Sequence, residues 1–382
     1  MTQPAAAFPG GVRARDLGIP LDGTPGTHNA ITDVAGVTVG YTTLNPGDGT
    51  MCTGVTAILP RGRDGVGIPC AAGTYSFNGN GEMTGRAWIE ESGQFTTPVL
   101  ITNSHAVGAC HTGVDQWMHR EHPAVSAQWM LPVVAETWDG YLNDINGGHV
   151  RPEHAIAALD AAASGPVAEG SVGGGTGMNC YGFKGGSGTA SRLVSVAGRH
   201  YTLGAFVQAN FGSREEFRLA GLPLGRLSQA PNPLEETDWF AGGRAAVPGG
   251  AGSVIVVIAT DAPLLPAQLK AVARRVPLGL ARTGTAGGHF SGDIFLAFST
   301  ANAGSLRSTL QRDPAAAELD SLDFLPWGQV DPVFTATVEA VEEAVLNALV
   351  NNADTTGRNG HFSPALPHAD VHTLLTAHNL QA

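Results

Sequence analysis

A chain of 382 residues with 43% hydrophobic residues, 14% charged residues and 52 glycines can bury a large core, which excludes a disordered or coiled-coil protein. Lys plus Arg is 21 against 33 Asp plus Glu, and the net charge of −12 comes with no basic cluster, so neither nucleic acid nor an anionic membrane is expected as a partner. Cys52, Cys70, Cys110 and Cys180 form no CxxC pair, Met1–Gly11 carries no signal-like region, and no run approaches about 18 apolar residues, so the expectation is a cytoplasmic chain with free thiols.

Residues 1 to about 30 are rich in Gly and Pro and read as an irregular arm. Strands are predicted at Val37–Tyr41, Val55–Leu59 and Val99–Thr102, then a helix from Ser104, as N-cap, to about Met118. Pro132–Thr137 reads as a strand and Pro152–Ala163 as an Ala-rich helix that Gly165-Pro166 ends. The glycine-dense stretch Gly170–Gly188 fits neither GxxxxGK nor GxGxxG, so it reads as close backbone approach and not as a phosphate loop. Arg192–Ala197 and Tyr201–Ala209 suggest a hairpin through Gly198-Arg199-His200, and 213–252 reads as loop. A buried strand Ser253–Thr260, a helix Pro266–Val276 and a strand Asp293–Ser299 follow. A long helix from Pro332, with Asp331 as N-cap, carries Phe334, Val338, Val341, Val345 and Leu349 at helical spacing. Interspersed strands and helices with hairpins predict a single α/β domain, a mixed sheet layered with helices.

The junction richest in chemistry is Gly252-Ser253. The small-residue loop Val247-Pro248-Gly249-Gly250-Ala251-Gly252 runs straight into the buried strand, and a serine in first place there suggests a nucleophile freed as an N-terminus by self-cleavage. A serine hydroxyl needs a base, and an α-amine of pKa about 7.7–8.0 beside it is a candidate. Gly252 lets the backbone take the φ/ψ values that attack by Oγ on the preceding carbonyl requires. An ordinary loop leading into a strand is the competing reading.

Ser291 and Asp293 stand two apart at a second Gly-rich approach, Gly284–Asp293. In extended backbone both project to one face, where a hydroxyl and a carboxylate orient or relay a proton; a turn closed by their side chains competes. Asn210 ends its strand and offers an amide N–H to an oxyanion, worth about 3–4 kcal/mol, or simply terminates the strand. Glu136 is acidic in an apolar strand and calls for a cation, either a substrate ammonium or an arginine of this chain. His119-Arg120-Glu121-His122 is not the HExxH pattern and Pro123 follows it, so no metal is expected, nor any other cofactor.

Ser253 with Gly252, Ala259–Pro266, Ser291–Thr300, Gly173–Met178 and Gly182–Gly186 together resemble the L-aminopeptidase/D-amidase/D-esterase family, which includes the β-peptidyl aminopeptidases. The likeness runs over roughly residues 12 to 370. It implies a four-layer αββα sandwich and cleavage before Ser253 into an α chain of 1–252 and a β chain of 253–382. It further implies Ser253 as nucleophile, Asn210 as oxyanion donor, Ser291 and Asp293 as the pair beside the nucleophile, and Glu136 as the group that grips a free amine. Some members carry Glu where this chain has Asp293, which sets the carboxylate about one methylene further back. The implied substrates are short peptides, amides and esters with a free amino group, and relatives form homotetramers. Which group is the base, the Ser253 amine or the Ser291/Asp293 pair, stays open.

Acyltransferases and oligoamide hydrolases of the same fold are the nearest alternative, but they typically present threonine at the new N-terminus. A binding protein that kept the fold without the chemistry is the other.

Overall fold

The structure is a computed structural model and describes residues 11–196, 198–233, 252–308 and 319–380. The N-terminal part of the expected arm and the loop Val247–Ala251 lie outside the described residues. In chain order the principal elements are β1 (Thr38–Leu44), β2 (Thr53–Leu59), β3 (Cys70–Gly79), α1 (Arg86–Ser92), β4 (Gln94–Phe95), β5 (Val99–Asn103), α2 (Val107–Glu121), β6 (Val133–Thr137) and α3 (Pro152–Asp160). Then come β7 (Gly186–Val196), β8 (Arg199–Asn210), β9 (Gly252–Thr260), α4 (Pro266–Ala273), α5 (Val276–Arg282), β10 (Ser291–Ser299) and α6 (Asp331–Val350).

Two sheets face each other. One has the order β1-β2-β5-β6 and the other β4-β3-β10-β9-β8-β7. Only β5–β6 and β9–β10 pair in parallel; the other neighbours are antiparallel. Between the sheets lies an apolar layer built from Ile58, Ile101 and Ala135 on one side and Phe206, Ile255, Val257 and Leu296 on the other. Alternation along β9 sends Val254, Val256 and Ile258 to the opposite face, where they pack with α4, α5 and α6. On the outer face of the smaller sheet, Ala57, Leu100 and Val134 pack with Val114 and Trp117 of α2 and with Ala158 of α3. The layers therefore run α, β, β, α, as the resemblance implies.

Glycine allows these layers to close. A Cβ at Gly188 of β7 would lie 2.0 Å from the carbonyl oxygen of Ala344 on α6, so the helix rests directly on strand backbone. The last two turns of α6 are buried on almost every side, a wider apolar surface than the single stripe that the spacing suggests.

Several expectations shift. β3, an inner strand, escapes prediction because Cys70-Ala71-Ala72-Gly73 lacks β-branched residues. The helix expected over Pro266–Val276 is two, broken at Arg274 and Arg275. Ser104 is not a helix cap: α2 begins at Val107 behind Ala106, and the Ser104 hydroxyl donates to Glu136. Asp331 lies just inside α6, with Val330 at the N-cap position and Pro332 in the first turn. Arg199 pairs with Val196, so Arg199 and His200 already belong to β8 and not to the turn.

A Gly188→Ala variant is expected to melt several degrees lower, about 2 kcal/mol less stable, because backbone on both sides of the contact must move. Thermal unfolding checks this, and an unchanged Tm would contradict the close approach.

Candidate active site

The chemistry-bearing residues meet where β6 and β8 end and β9 and β10 begin. Antiparallel register places Asn210, the last residue of β8, opposite Ser253 of β9. Parallel register then sets Gly252 beside Ser291, Ser253 beside Gly292, and Val254 beside Asp293. The row lies at the end of the larger sheet and is closed from the other sheet by Glu136-Thr137-Trp138.

Ser253 is buried, and its Oγ accepts a hydrogen bond from the Trp138 backbone N–H at 3.0 Å. The carbonyl of Trp138 accepts from Asn210 Nδ2 at 2.8 Å, and Asn210 Oδ1 accepts from the Asn179 N–H at 2.9 Å. Both ends of the Asn210 carboxamide are thereby assigned, since a carbonyl partner requires Nδ2 and an N–H partner requires Oδ1. Among the described residues no hydrogen bond takes the second Nδ2 proton. At Gly252 a Cβ would lie 2.2 Å from the Asn210 carbonyl oxygen, so no larger residue fits there without displacing β8.

Ser291 and Asp293 do share a face, and the Ser291 hydroxyl donates to Asp293 Oδ1 at 2.5 Å. Asn78 of β3 donates to Asp293 Oδ2 at 2.9 Å. Burial pushes the Asp293 carboxyl above the ordinary range, while hydrogen bonds from Ser291, Asn78 and the Val254 backbone pull it back. The shorter aspartate is thus close enough to hold the serine. The pair has the parity of Phe295 and Ala297, and it makes no hydrogen bond to the Ser253 hydroxyl among the described residues. It flanks the Gly252–Ser253 backbone and not Oγ.

Glu136 is buried on β6, beside Thr102 of β5. Its Oε1 accepts from the Glu82 N–H at 2.9 Å, and its Oε2 accepts from the Ser104 hydroxyl. Among the described residues no arginine or lysine forms an ion pair with it. Burial raises its pKa, and the donors from Ser104 and Glu82 offset part of that rise. A Cβ at Gly81 would lie 3.0 Å from Glu136 Oε1 and 3.1 Å from Gly292 Cα, so the carboxylate reaches the strand that flanks Ser253.

Sequence reasoning singled out Ser253, Asn210, Ser291, Asp293, Glu136 and Gly252, and the fold brings all six to one end of the sheets. It missed Trp138, whose contribution is a backbone N–H and carbonyl that no side-chain type announces. It missed Asn78, which sits on the unpredicted strand, and the buried Lys184, whose signal was a lysine alone among glycines with no acid near it in sequence.

The αββα layers place a buried serine near the start of an inner strand, the arrangement that the family resemblance implies. Residues 29–363 match peptidase family S58, and the chain belongs to that family of peptide-bond hydrolases. It is 49% identical, over 97% of its length and 93% of the relative's, to the β-peptidyl aminopeptidase BapA of Sphingosinicella microcystinivorans. It is 43% identical to the enzyme of the same name from Sphingosinicella xenopeptidilytica, over 98% of this chain and 93% of that one. Among solved structures it is similar to the L-aminopeptidase D-Ala-esterase/amidase of Ochrobactrum anthropi, a prototype for the serine aminopeptidases with a variant of the Ntn hydrolase fold. That likeness has a TM-score of 0.87 and 44% identity, and covers 97% of this chain and 99% of the other.

Replacing Asn78 with alanine removes a donor from Asp293 while leaving it buried, which raises the carboxyl further. The acid limb of the pH–rate profile is expected to move to higher pH. A limb that stays in place would show that Asp293 does not control it.

Proposed function

We propose that this chain matures by cutting its own Gly252–Ser253 bond and then works as an aminopeptidase, amidase and esterase on small substrates with a free amino group. The observation that carries the reading is the buried Ser253 hydroxyl, held by the Trp138 N–H and set in register with Asn210. In maturation Oγ attacks the Gly252 carbonyl carbon and gives up its proton. The C–N bond to Ser253 breaks and its nitrogen takes that proton to become a free α-amine; water then hydrolyses the resulting ester, leaving the Ser253 hydroxyl and a Gly252 carboxylate.

In turnover that amine is the base for its own hydroxyl, with a pKa of about 7.7–8.0 before any perturbation. The Ser291–Asp293 pair is level with the Ser253 nitrogen by register, which suits it to hold and exchange protons with the amine and not with Oγ. Oγ attacks the substrate's first carbonyl. The Asn210 Nδ2–H donates to the oxyanion, a donor worth about 3 kcal/mol. The leaving amine or alcohol takes the proton, and water then resolves the acyl-enzyme.

Glu136 is the anchor for the substrate ammonium. Its only partners among the described residues are neutral donors, so a cation completes the site's charge. The names of the two BapA relatives make β-amino-acid amides and peptides the first substrates to screen, beside L- and D-alanyl amides and esters.

The decisive test is intact mass under denaturing conditions. Wild type is expected as two fragments, the smaller beginning at Ser253, and Ser253→Ala as one chain of 39.2 kDa. An uncut wild type without activity would leave the binding-protein reading in place. Glu136→Gln is expected to lower kcat/KM for free-amine esters about 100-fold and to change little with the N-acetylated ester, since only a charge pair is lost. Because burial raises the Glu136 pKa and only the carboxylate pairs with ammonium, KM for wild type should climb as pH falls, starting above the ordinary carboxylate range. A flat KM through that range would remove Glu136 from substrate binding.

A further inference from the structure

Asn179–Cys180 and Phe183–Lys184 form a tight hairpin that turns through Tyr181 and Gly182, with φ of 54° and 69°, and sets Asn179 directly opposite Lys184. Lys184 is fully buried. An ammonium out of water is costly unless its donors are met. Here Nζ donates to three carbonyls, those of Gly185 at 2.8 Å, Met178 at 3.0 Å and Gly175 at 3.4 Å, and no carboxylate is among its partners. A cation kept in the interior on neutral oxygens alone is a demanding arrangement for a residue that only fills space.

One of those carbonyls leads to the site. Met178 O accepts from Lys184 Nζ and from the Gly185 N–H at 2.8 Å, and the N–H of the same peptide unit, carried by Asn179, donates to Asn210 Oδ1. Positive charge on a peptide oxygen draws electrons from its N–H, and a stronger donor at Oδ1 draws electrons from Nδ2 in turn. Polarisation of this kind adds along a chain of hydrogen bonds in a dry interior.

We propose that Lys184 is a positioning residue of the reaction: its ammonium, seated on the Met178 carbonyl, polarises the Met178–Asn179 peptide and so fixes and strengthens the Asn210 amide as oxyanion donor. The inference rests on the assignment of Asn210 made above. Burial lowers the Lys184 pKa to about 8, with the Cys52 thiol as the titratable group whose charge it feels. Cys52 itself is pushed up to about 11 and also faces Asp139, raised to about 7 by burial. On the hairpin, Cys180 and Tyr181 are held neutral by burial, and Arg214 binds the carbonyls of Tyr181 and Gly182 and lies over the Phe183 ring.

The experiment is a set of kcat–pH profiles of the mature enzyme at saturating substrate, which removes titration of the free substrate's ammonium. Wild type is expected to lose kcat on the alkaline side as Lys184 gives up its proton. Lys184→Met is expected to lower kcat about tenfold near neutrality, with KM within about twofold, and to lack that alkaline limb. Asn210→Ala cuts the relay at its far end, so it too should lack the limb, and adding Lys184→Met to it should cost nothing more. Losses that multiply in the double variant, or a limb that persists in Asn210→Ala, overturn the relay. An Asn210→Ala enzyme with undiminished kcat overturns the oxyanion assignment instead, so the two failures are distinct. If Lys184→Met does not fold, the Asn210→Ala profile decides alone.

Discussion

Backbone hydrogen bonds between β8 and β9 set Asn210 opposite Ser253, and those between β9 and β10 set Gly292 at its other side. Every other group at the site takes its position from this row. Trp138 uses its N–H on the serine and its carbonyl on the asparagine, so a single residue at the end of the facing sheet locks both. Glu136, two residues earlier, is then carried to within reach of Gly292 past the bare backbone of Gly81. A slip of one residue would exchange the sets of β9 that face the helices and the other sheet, so two differently shaped layers hold this register.

The row works because it is dry. Glu136 and Asp293 are both raised by burial, and both are held by short neutral donors in place of cations. In such a setting a charge that arrives with the substrate, or develops during reaction, is worth more than it would be in water.

A second buried polar cluster, away from the site, has the opposite character. Glu343 of α6 is met by Arg15, Arg192 and Asn29, and its pKa is lowered despite burial because two guanidinium groups outweigh the loss of water. Arg13 pairs with Glu169 in the same region. These ion pairs tie the segment after residue 11 to α6 and β7. Glu136, by contrast, is met among the described residues by the Glu82 N–H and the Ser104 hydroxyl.

Strong local signals carried far in this chain. The β-branched run of β9, the proline at the start of α6, the Ser-Gly-Asp spacing and the Gly252-Ser253 junction are all properties of near neighbours, so they could be read as residues in a row. β3 could not, because its small residues pay their way only by letting α4 lie against them, as at Gly73 beside the Lys270 backbone. Ser104 could not either: serine before a helix suits a cap, and only the approach of β6 turns its hydroxyl to Glu136. Trp138 and Asn78 act through pairings across sheets and strands, and Lys184 through a peptide unit whose other end meets Asn210. The amino-acid order by itself determined most of the elements, the Gly252-Ser253 junction and the kinds of groups that gather around it. Which of those groups share a hydrogen bond was decided only when two sheets met, because contact between residues distant in sequence depends on register and layer packing, which local pattern does not encode.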